Sequence, residues 1–173
     1  MATAAYFRKM WELEQLATGK PKDCTPEAIC IAVAKIFGVK KTEVGLLKLK
    51  GRLLRFIYPP ELTTAGAIPL TSSAVAARTA RSRRAELFNS FAQVEHSSVF
   101  EVVPLGNAGS EPEVIQKLMS APVFSPHEDV IGVIQVSRKG QSPTAAGADF
   151  APEDLEKLRS VGVSIGTLMS RGD

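Results

Sequence analysis

The sequence contains few of the residues that most often carry out chemistry in proteins. Of its 173 residues, two are cysteine, two are histidine and one is tryptophan. Proline, glycine or serine interrupts its apolar stretches well short of the ~20 residues that a membrane-spanning helix needs. No basic start followed by an apolar run and a small-residue cleavage site marks a secretory signal. We therefore expect a cytoplasmic protein with no membrane partner.

The two cysteines do not have the spacing of a redox or metal motif. Cys24 and Cys30 lie six residues apart, which is neither a C-x-x-C pair nor a zinc-ligand pair. Only His96 and His127 add imidazole ligands. We predict no metal site, and we interpret the cysteines as one loop thiol and one thiol packed on a helix.

Common catalytic motifs are missing as well. The sequence has no G-x-S-x-G elbow, no glycine-rich phosphate loop followed by Lys and Ser or Thr, and no H-E-x-x-H. The adjacent acids Glu153 and Asp154 open a predicted helix, where stabilisation of the helix dipole accounts for them. We therefore expect that the protein is not an enzyme, with a small-molecule enzyme as the third of three interpretations.

The composition that remains is typical of one folded domain. With 45% hydrophobic and 23% charged residues, a chain of this length buries about 70% of its unfolded surface. Residues 1–58 hold 11 Lys and Arg against 5 Asp and Glu, a net charge of +6, whereas residues 101–173 have a net charge of −4. Exposed aromatic residues are not interleaved with the basic ones, so we do not expect nucleic-acid binding.

Helical periodicity and capping residues predict the helices. A first helix is expected over 4–16, and a second begins at Thr25 and Pro26 and ends at Gly38. A third is expected to be capped by Thr71 or Ser72, and the last begins at Pro152. Gly162 and Gly166 lie four residues apart on that last helix, which permits close approach of another helix.

Strands are predicted between these helices. The turn residues Lys50 and Gly51 indicate a hairpin of strands 42–49 and 53–58, which Pro59 and Pro60 end. Further strands are expected at 85–89, 114–124 and 130–137, and residues 140–147 are predicted to form a flexible loop. These elements predict one α+β domain with helices at both ends and a mostly antiparallel sheet.

Three stretches of this sequence carry a family resemblance. Residues 121–124 and 130–136 resemble a small residue, proline and an apolar residue, then a turn and an Ile-Gly-Val strand. Residues 149–155 are similar to a Phe-Thr-x-x-Asp entry to a last helix, with Ala151 in place of the usual Thr or Ser. Residues 68–70 lead into the third predicted helix. In their order along the chain, these stretches resemble a GAF domain, the small-molecule sensory module of signalling proteins.

The resemblance implies the fold and a pocket. It implies a GAF/profilin-like antiparallel sheet of about six strands, with the N- and C-terminal helices on one face and pocket-covering helices and loops on the other. Residues 66–105 would form that cover, and the terminal helices would pair across a homodimer interface. The expected domains are an N-terminal helix and connector at 1–21, a GAF-like domain at 22–170 and a tail at 171–173.

The sequence also departs from the ligand-specific branches of that family. It lacks the Asn-Lys-x-x-x-Phe-x-x-x-Asp-Glu signature of the cyclic-nucleotide branch. Its cysteines lie within the first 30 residues, away from the pocket positions that bilin-binding and free-methionine-sulfoxide reductase branches use. The ligand and any cofactor therefore stay unknown.

Five residues of the expected cover are candidate ligand contacts. Arg78 and Arg81 are three apart on one helix, and guanidinium groups match carboxylate or phosphate well, so an anionic ligand is one expectation. His96 is a candidate because histidine side chains can titrate near neutral pH, and Asn89 and Phe100 fall in the same region. The competing interpretation for the arginine run, which continues to Arg83 and Arg84, is a solvated helix end.

We predict a non-catalytic, dimeric signalling or sensor module of GAF type that binds an unidentified small molecule. The alternative is a purely structural dimerisation or protein-interaction module whose pocket is filled by side chains.

Overall fold

The computed structural model describes residues 4, 8–10, 24–91 and 114–171. Residues 4 and 8–10 are helical. The further helices are α1 (Pro26–Phe37), α2 (Val75–Ser82), α3 (Pro143–Ala146) and α4 (Pro152–Ser170). The strands are β1 (Val44–Lys50), β2 (Leu53–Tyr58), β3 (Ile68–Pro69), β4 (Glu86–Phe88), β5 (Ile115–Phe124) and β6 (Val130–Lys139). Short 3-10 turns lie at Lys41–Glu43 and Pro60–Leu62.

The described strands form one antiparallel sheet. Its order is β3-β2-β1-β6-β5-β4, and every pairing in it is antiparallel. The predicted α+β class, the six strands and the antiparallel pairing of 114–124 with 130–137 are confirmed. The central strands β1, β6 and β5 are mostly buried, as expected for strands that are covered on both faces.

Local chemistry sets the ends of α1 and of the first hairpin. Thr25 Oγ1 accepts a hydrogen bond from the Ala28 amide at 3.1 Å, and Gly38 ends α1 with a φ of 64°. Gly51, at a φ of 63°, turns the chain from β1 into β2. Strand β1 begins at Val44, two residues later than predicted, because the preceding 3-10 turn includes Glu43.

Helix α2 begins later than predicted. Ser72 is not its N-cap; the Ser72 hydroxyl accepts from the Ala74 amide at 3.0 Å, which holds a turn before the helix. The helix then runs from Val75 to Ser82. The capping prediction was wrong because serine hydroxyls satisfy backbone groups in turns as readily as at helix ends.

Two other predictions are adjusted by the structure. The loop predicted at 140–147 contains the short helix α3, which Ser142 caps by accepting from the Ala145 amide at 3.1 Å. Pro122 lies inside β5 opposite Val133, yet β4 pairs only with residues 118–120 of β5. Pro122 is therefore beyond the end of β4, where its missing amide N–H interrupts no pairing with that strand.

Each face of the sheet carries its own buried cluster. The face covered by α1 and α4, which we call the α4 face, contains among others Val33, Val44, Ile134, Leu158 and Ile165. The face covered by α2, which we call the α2 face, contains among others Leu54, Val75, Ala77, Leu118 and Val133. The sheet is thus the middle layer of three.

The glycines of α4 contact a strand, not another helix. A Cβ built at Gly162 would lie 2.6 Å from the carbonyl oxygen of Pro122, and one built at Gly166 would overlap the carbonyl oxygen of Phe124. The sequence interpretation of a helix–helix contact at these glycines was wrong. Their missing side chains let α4 lie directly on the backbone of β5.

The N-terminal helix predicted at 4–16 lies mostly outside the described residues. Within the described part, Met10 packs against the α4-face cluster. None of the helices in residues 4, 8–10, 24–91 and 114–171 is long and apolar enough to cross a membrane.

Candidate functional site

The expected ligand cover is described for residues 66–91. There α2 lies across β5 and β6 and buries Val75, Ala76, Ala77 and Ala80. Most of the contact between α2 and the sheet is therefore made by small apolar side chains, which bring the helix close to the strands.

A polar cluster lies within this apolar layer. Thr79 and Ser120 have no exposed surface and Gln135 is 5% exposed. The Thr79 and Ser120 hydroxyls are 2.7 Å apart, and Gln135 Nε2 donates to Ser120 Oγ at 3.2 Å. We call these three residues the polar cluster, and their hydrogen bonds join α2 to β5 and β6.

The chemistry of the polar cluster is that of neutral donors and acceptors. Thr79 Oγ1 also donates to the carbonyl oxygen of Val75 at 2.9 Å. A carboxamide offers two N–H donors and an oxygen acceptor, and the bond to Ser120 uses one donor of Gln135. Sequence reasoning missed this cluster. The signal for it was a single polar residue among apolar neighbours in each of two strands, Ser120 in β5 and Gln135 in β6.

Arg78 lies beside α2, but a carboxylate of the same chain engages it. Its Nε donates to Glu86 Oε1 at 2.9 Å and its Nη2 donates to Glu86 Oε2 at 2.8 Å. The guanidinium carbon also lies 5.4 Å from the centre of the Phe88 ring. This paired, bidentate geometry largely offsets the positive charge that an anionic ligand would use.

Arg81 points to a different part of the chain. Its Nη1 donates to the carbonyl oxygen of Ser72 at 2.8 Å and also to that of Leu70. The two arginines that were predicted to act together therefore have separate partners. A role for either in ligand binding stays a prediction.

Asn89 connects the end of β4 to the start of α4. Its Nδ2 donates to the carbonyl oxygen of Phe150 at 3.0 Å, and its Oδ1 accepts from the Phe150 amide at 2.9 Å. The Arg138 guanidinium lies 4.8 Å from the centre of the Phe150 ring. Asn89 thus holds the segment before α4, and its predicted contact with a ligand stays a prediction.

The other predicted site residues, His96 and Phe100, lie outside the described residues. His127 lies in the exposed turn between β5 and β6, where its amide donates to Ser125 Oγ at 3.2 Å. Within the described part of the chain, no group of three or more His, Cys, Asp or Glu side chains is placed to hold a metal ion.

Both thiols lie against the α4-face cluster. Cys30 belongs to that cluster and Cys24 packs on its edge. Burial raises the pKa of Cys30 well above its usual range. Burial also raises the pKa of Cys24, although the charge of Arg171 opposes this. Both thiols are therefore protonated near neutral pH, and neither belongs to the α2-face cluster.

Solved structures of other proteins share this architecture. The GAF domain of an Acinetobacter phosphoenolpyruvate-protein phosphotransferase superimposes with a TM-score of 0.69 at 13% identity, covering 99% of this chain and 95% of that one. The nlh2 GAF domain of A. aeolicus in an inactive state gives a TM-score of 0.66 at 12% identity, covering 98% of each chain. No protein-family model and no curated protein matches the sequence. The chain has the fold of a GAF domain.

One of these comparisons overturns a prediction. Free methionine-R-sulfoxide reductase from Neisseria meningitidis, solved in complex with its substrate, gives a TM-score of 0.63 at 15% identity, covering 99% of this chain and 94% of that one. The expectation that the protein is not an enzyme rested on missing catalytic motifs, and it is overturned because an enzyme shares this fold.

Proposed function

We propose that this protein is a sensory or regulatory module of GAF type that binds a small polar molecule on the α2 face and dimerises through its terminal helices. The observation that carries the proposal is the polar cluster of Thr79, Ser120 and Gln135. Ligand pockets are mostly apolar and contain a few convergent polar groups that orient the ligand.

The composition of the cluster indicates the type of ligand. Two hydroxyls and a carboxamide carry no charge, so they favour a neutral polar group, such as an amide, a carbonyl or a hydroxyl, over a free ion. Burial of such groups costs free energy when they are not hydrogen-bonded. The three side chains avoid this cost by bonding to one another.

The test is native mass spectrometry of the purified full chain, which detects a copurifying ligand and the oligomeric state together. We expect a mass above that of the polypeptide. The fraction of loaded protein should fall in Ser120→Ala and Gln135→Leu. The matched control is Ser137→Ala, because Ser137 is equally buried and its hydroxyl donates to the Glu43 carbonyl oxygen at 3.0 Å.

Three outcomes contradict parts of the proposal. A bare polypeptide mass, with no stabilisation by a metabolite library, favours the purely structural module. Equal loss of ligand in Ser137→Ala places binding elsewhere, and a strict monomer at high micromolar concentration excludes the dimer. The library should include free methionine sulfoxide, because a protein of this fold reduces it. Its conversion by the purified chain should be monitored as well.

A further inference from the structure

A cavity lies outside the layer between α2 and the sheet. It is a groove of about 330 Å³ between the first half of α4 and the end of β5. Pro122 and Phe124 line it from β5, Glu156, Arg159 and Val163 line it from α4, and Arg83 lines it from the turn after α2. The groove therefore combines apolar surface with two guanidinium groups from separate elements.

Arg83 is held in place without being neutralised. Its Nη2 donates to the carbonyl oxygen of Glu128 at 2.7 Å, and its guanidinium carbon lies 5.2 Å from the centre of the Phe124 ring. A guanidinium has five N–H donors, and the bond to Glu128 uses one of them. Among the described residues no carboxylate forms an ion pair with Arg83. Its position is therefore fixed while its charge is retained.

Arg159 forms an exposed ion pair with Glu156. Its Nη1 lies 3.1 Å from Glu156 Oε2, and the two side chains are 60% and 69% exposed. Exposed pairs of this kind contribute little and are screened by salt. An incoming anion can take the place of Glu156 at small cost. The three charged side chains that line the groove have a net charge of +1.

We propose that this groove binds a small molecule with one oxyanion group and a compact apolar body. The oxyanion, a phosphate monoester or a carboxylate, accepts hydrogen bonds from Arg83 and Arg159, since guanidinium geometry matches both groups. The apolar body packs on Pro122, Phe124 and Val163, the last of which is 56% exposed. This site is independent of the one proposed on the α2 face.

The experiment is a titration of the isotope-labelled full chain, followed by NMR, with phenyl phosphate, benzoate and inorganic phosphate. Benzyl alcohol serves as the uncharged probe. With phenyl phosphate or benzoate, we expect chemical-shift changes at Arg83 Nε–H, Phe124 and Val163. Inorganic phosphate should bind much more weakly, and benzyl alcohol should not bind. Arg83→Gln and Arg159→Gln should each weaken binding about tenfold.

Arg84→Gln is the matched control, because Arg84 is the exposed neighbour of Arg83 and does not line the groove. Its affinity should equal that of the unaltered chain. Arg159 lies on the exposed side of α4, so Arg159→Gln tests the site even if Arg83→Gln disturbs the turn.

Four results would overturn the proposal. The first is an absence of shifts, and the second is shifts centred on Ser120 and Gln135, which would place the probe on the α2 face. The third is an equal loss of affinity in Arg84→Gln, which indicates attraction to general positive charge. The fourth is a dimer in which a second copy covers Arg159 and Val163 and leaves no room for the probe.

Discussion

The two faces of the sheet are covered in different ways. On the α4 face, the long helix α4 touches the backbone of β5 through Gly162 and Gly166, and its contacts are apolar along Leu158, Val161 and Ile165. On the α2 face, the short helix α2 packs through alanines, and its Thr79 forms the polar cluster with Ser120 of β5 and Gln135 of β6. The α4 face therefore packs mainly through apolar and backbone contacts, whereas the α2 face also contains buried side-chain hydrogen bonds.

The largest expected effect comes from Gly166→Ala on the α4 face. A Cβ there overlaps the Phe124 carbonyl oxygen, so α4 or β5 must move, at a cost of about 3 kcal/mol or more in the free energy of unfolding. Urea denaturation measures the loss. Val163→Ala, at an exposed position of the same helix, is the control and should change stability by less than about 0.5 kcal/mol. Equal stability of the two variants would show that α4 does not lie on β5 in this way.

Asn89→Ala tests the connection between the end of β4 and α4. It removes both hydrogen bonds to Phe150, and we expect a loss of about 2 kcal/mol. Hydrogen exchange should become faster in the first turn of α4. Asn89→Asp keeps the acceptor but not the donor, so its decrease in the free energy of unfolding should be intermediate. Unchanged exchange at residues 150–155 in Asn89→Ala would contradict this.

The polar cluster should respond differently from the apolar α4 face. Thr79→Val removes one hydroxyl and should cost about 1 kcal/mol, because Ser120 then loses a partner. The combined replacement of Thr79 by Val, Ser120 by Ala and Gln135 by Leu should cost no more, since no buried group is left without its partner. Denaturation curves that give the sum of three separate losses would refute this expectation.

The smallest effect at neutral pH concerns Tyr58, on the α4 face. Burial raises the pKa of Tyr58 to about 12 from 10.0, with further contributions from Cys30, Glu27 and Glu61. A raised pKa means that the folded state favours the neutral phenol. The contribution to stability is therefore complete below pH 10 and is lost as the pH rises from about 10 to about 12.

Absorbance near 295 nm follows this ionisation, and denaturation at each pH follows stability. Tyr58→Phe removes one titrating group and should flatten the loss of stability in that range. The same pH dependence in Tyr58→Phe would assign the effect to other groups.

Local chemistry explains which parts of the fold could be predicted. The N-cap Thr25, the turn at Gly51 and the start of α4 at Pro152 depend on residues within four positions of each other, and the structure places them as predicted. Ala151 has no side-chain acceptor for the first helix amides, but the Asp154 carboxylate accepts a hydrogen bond from the Ala151 amide at 2.7 Å.

The remaining features depend on partners that lie far apart in sequence. Asn89 and Phe150 are 61 residues apart, and Thr79 and Ser120 are 41 apart. The spacing of Gly162 and Gly166 indicated a close approach correctly, but spacing within one element does not specify what approaches it. For the same reason, the arginine run could be recognised while the partners of Arg78 and Arg81 could not.

The contact of α4 with β5 also limits how that helix can move. At Gly162 and Gly166 only a hydrogen atom fits between the helix and the strand carbonyls. A slide by one residue would bring the Cβ atoms of neighbouring positions, such as Val161 or Ile165, onto those oxygens, and a turn about the helix axis would do the same. The middle of α4 is therefore the part of the helix that is least free to slide or rotate on β5.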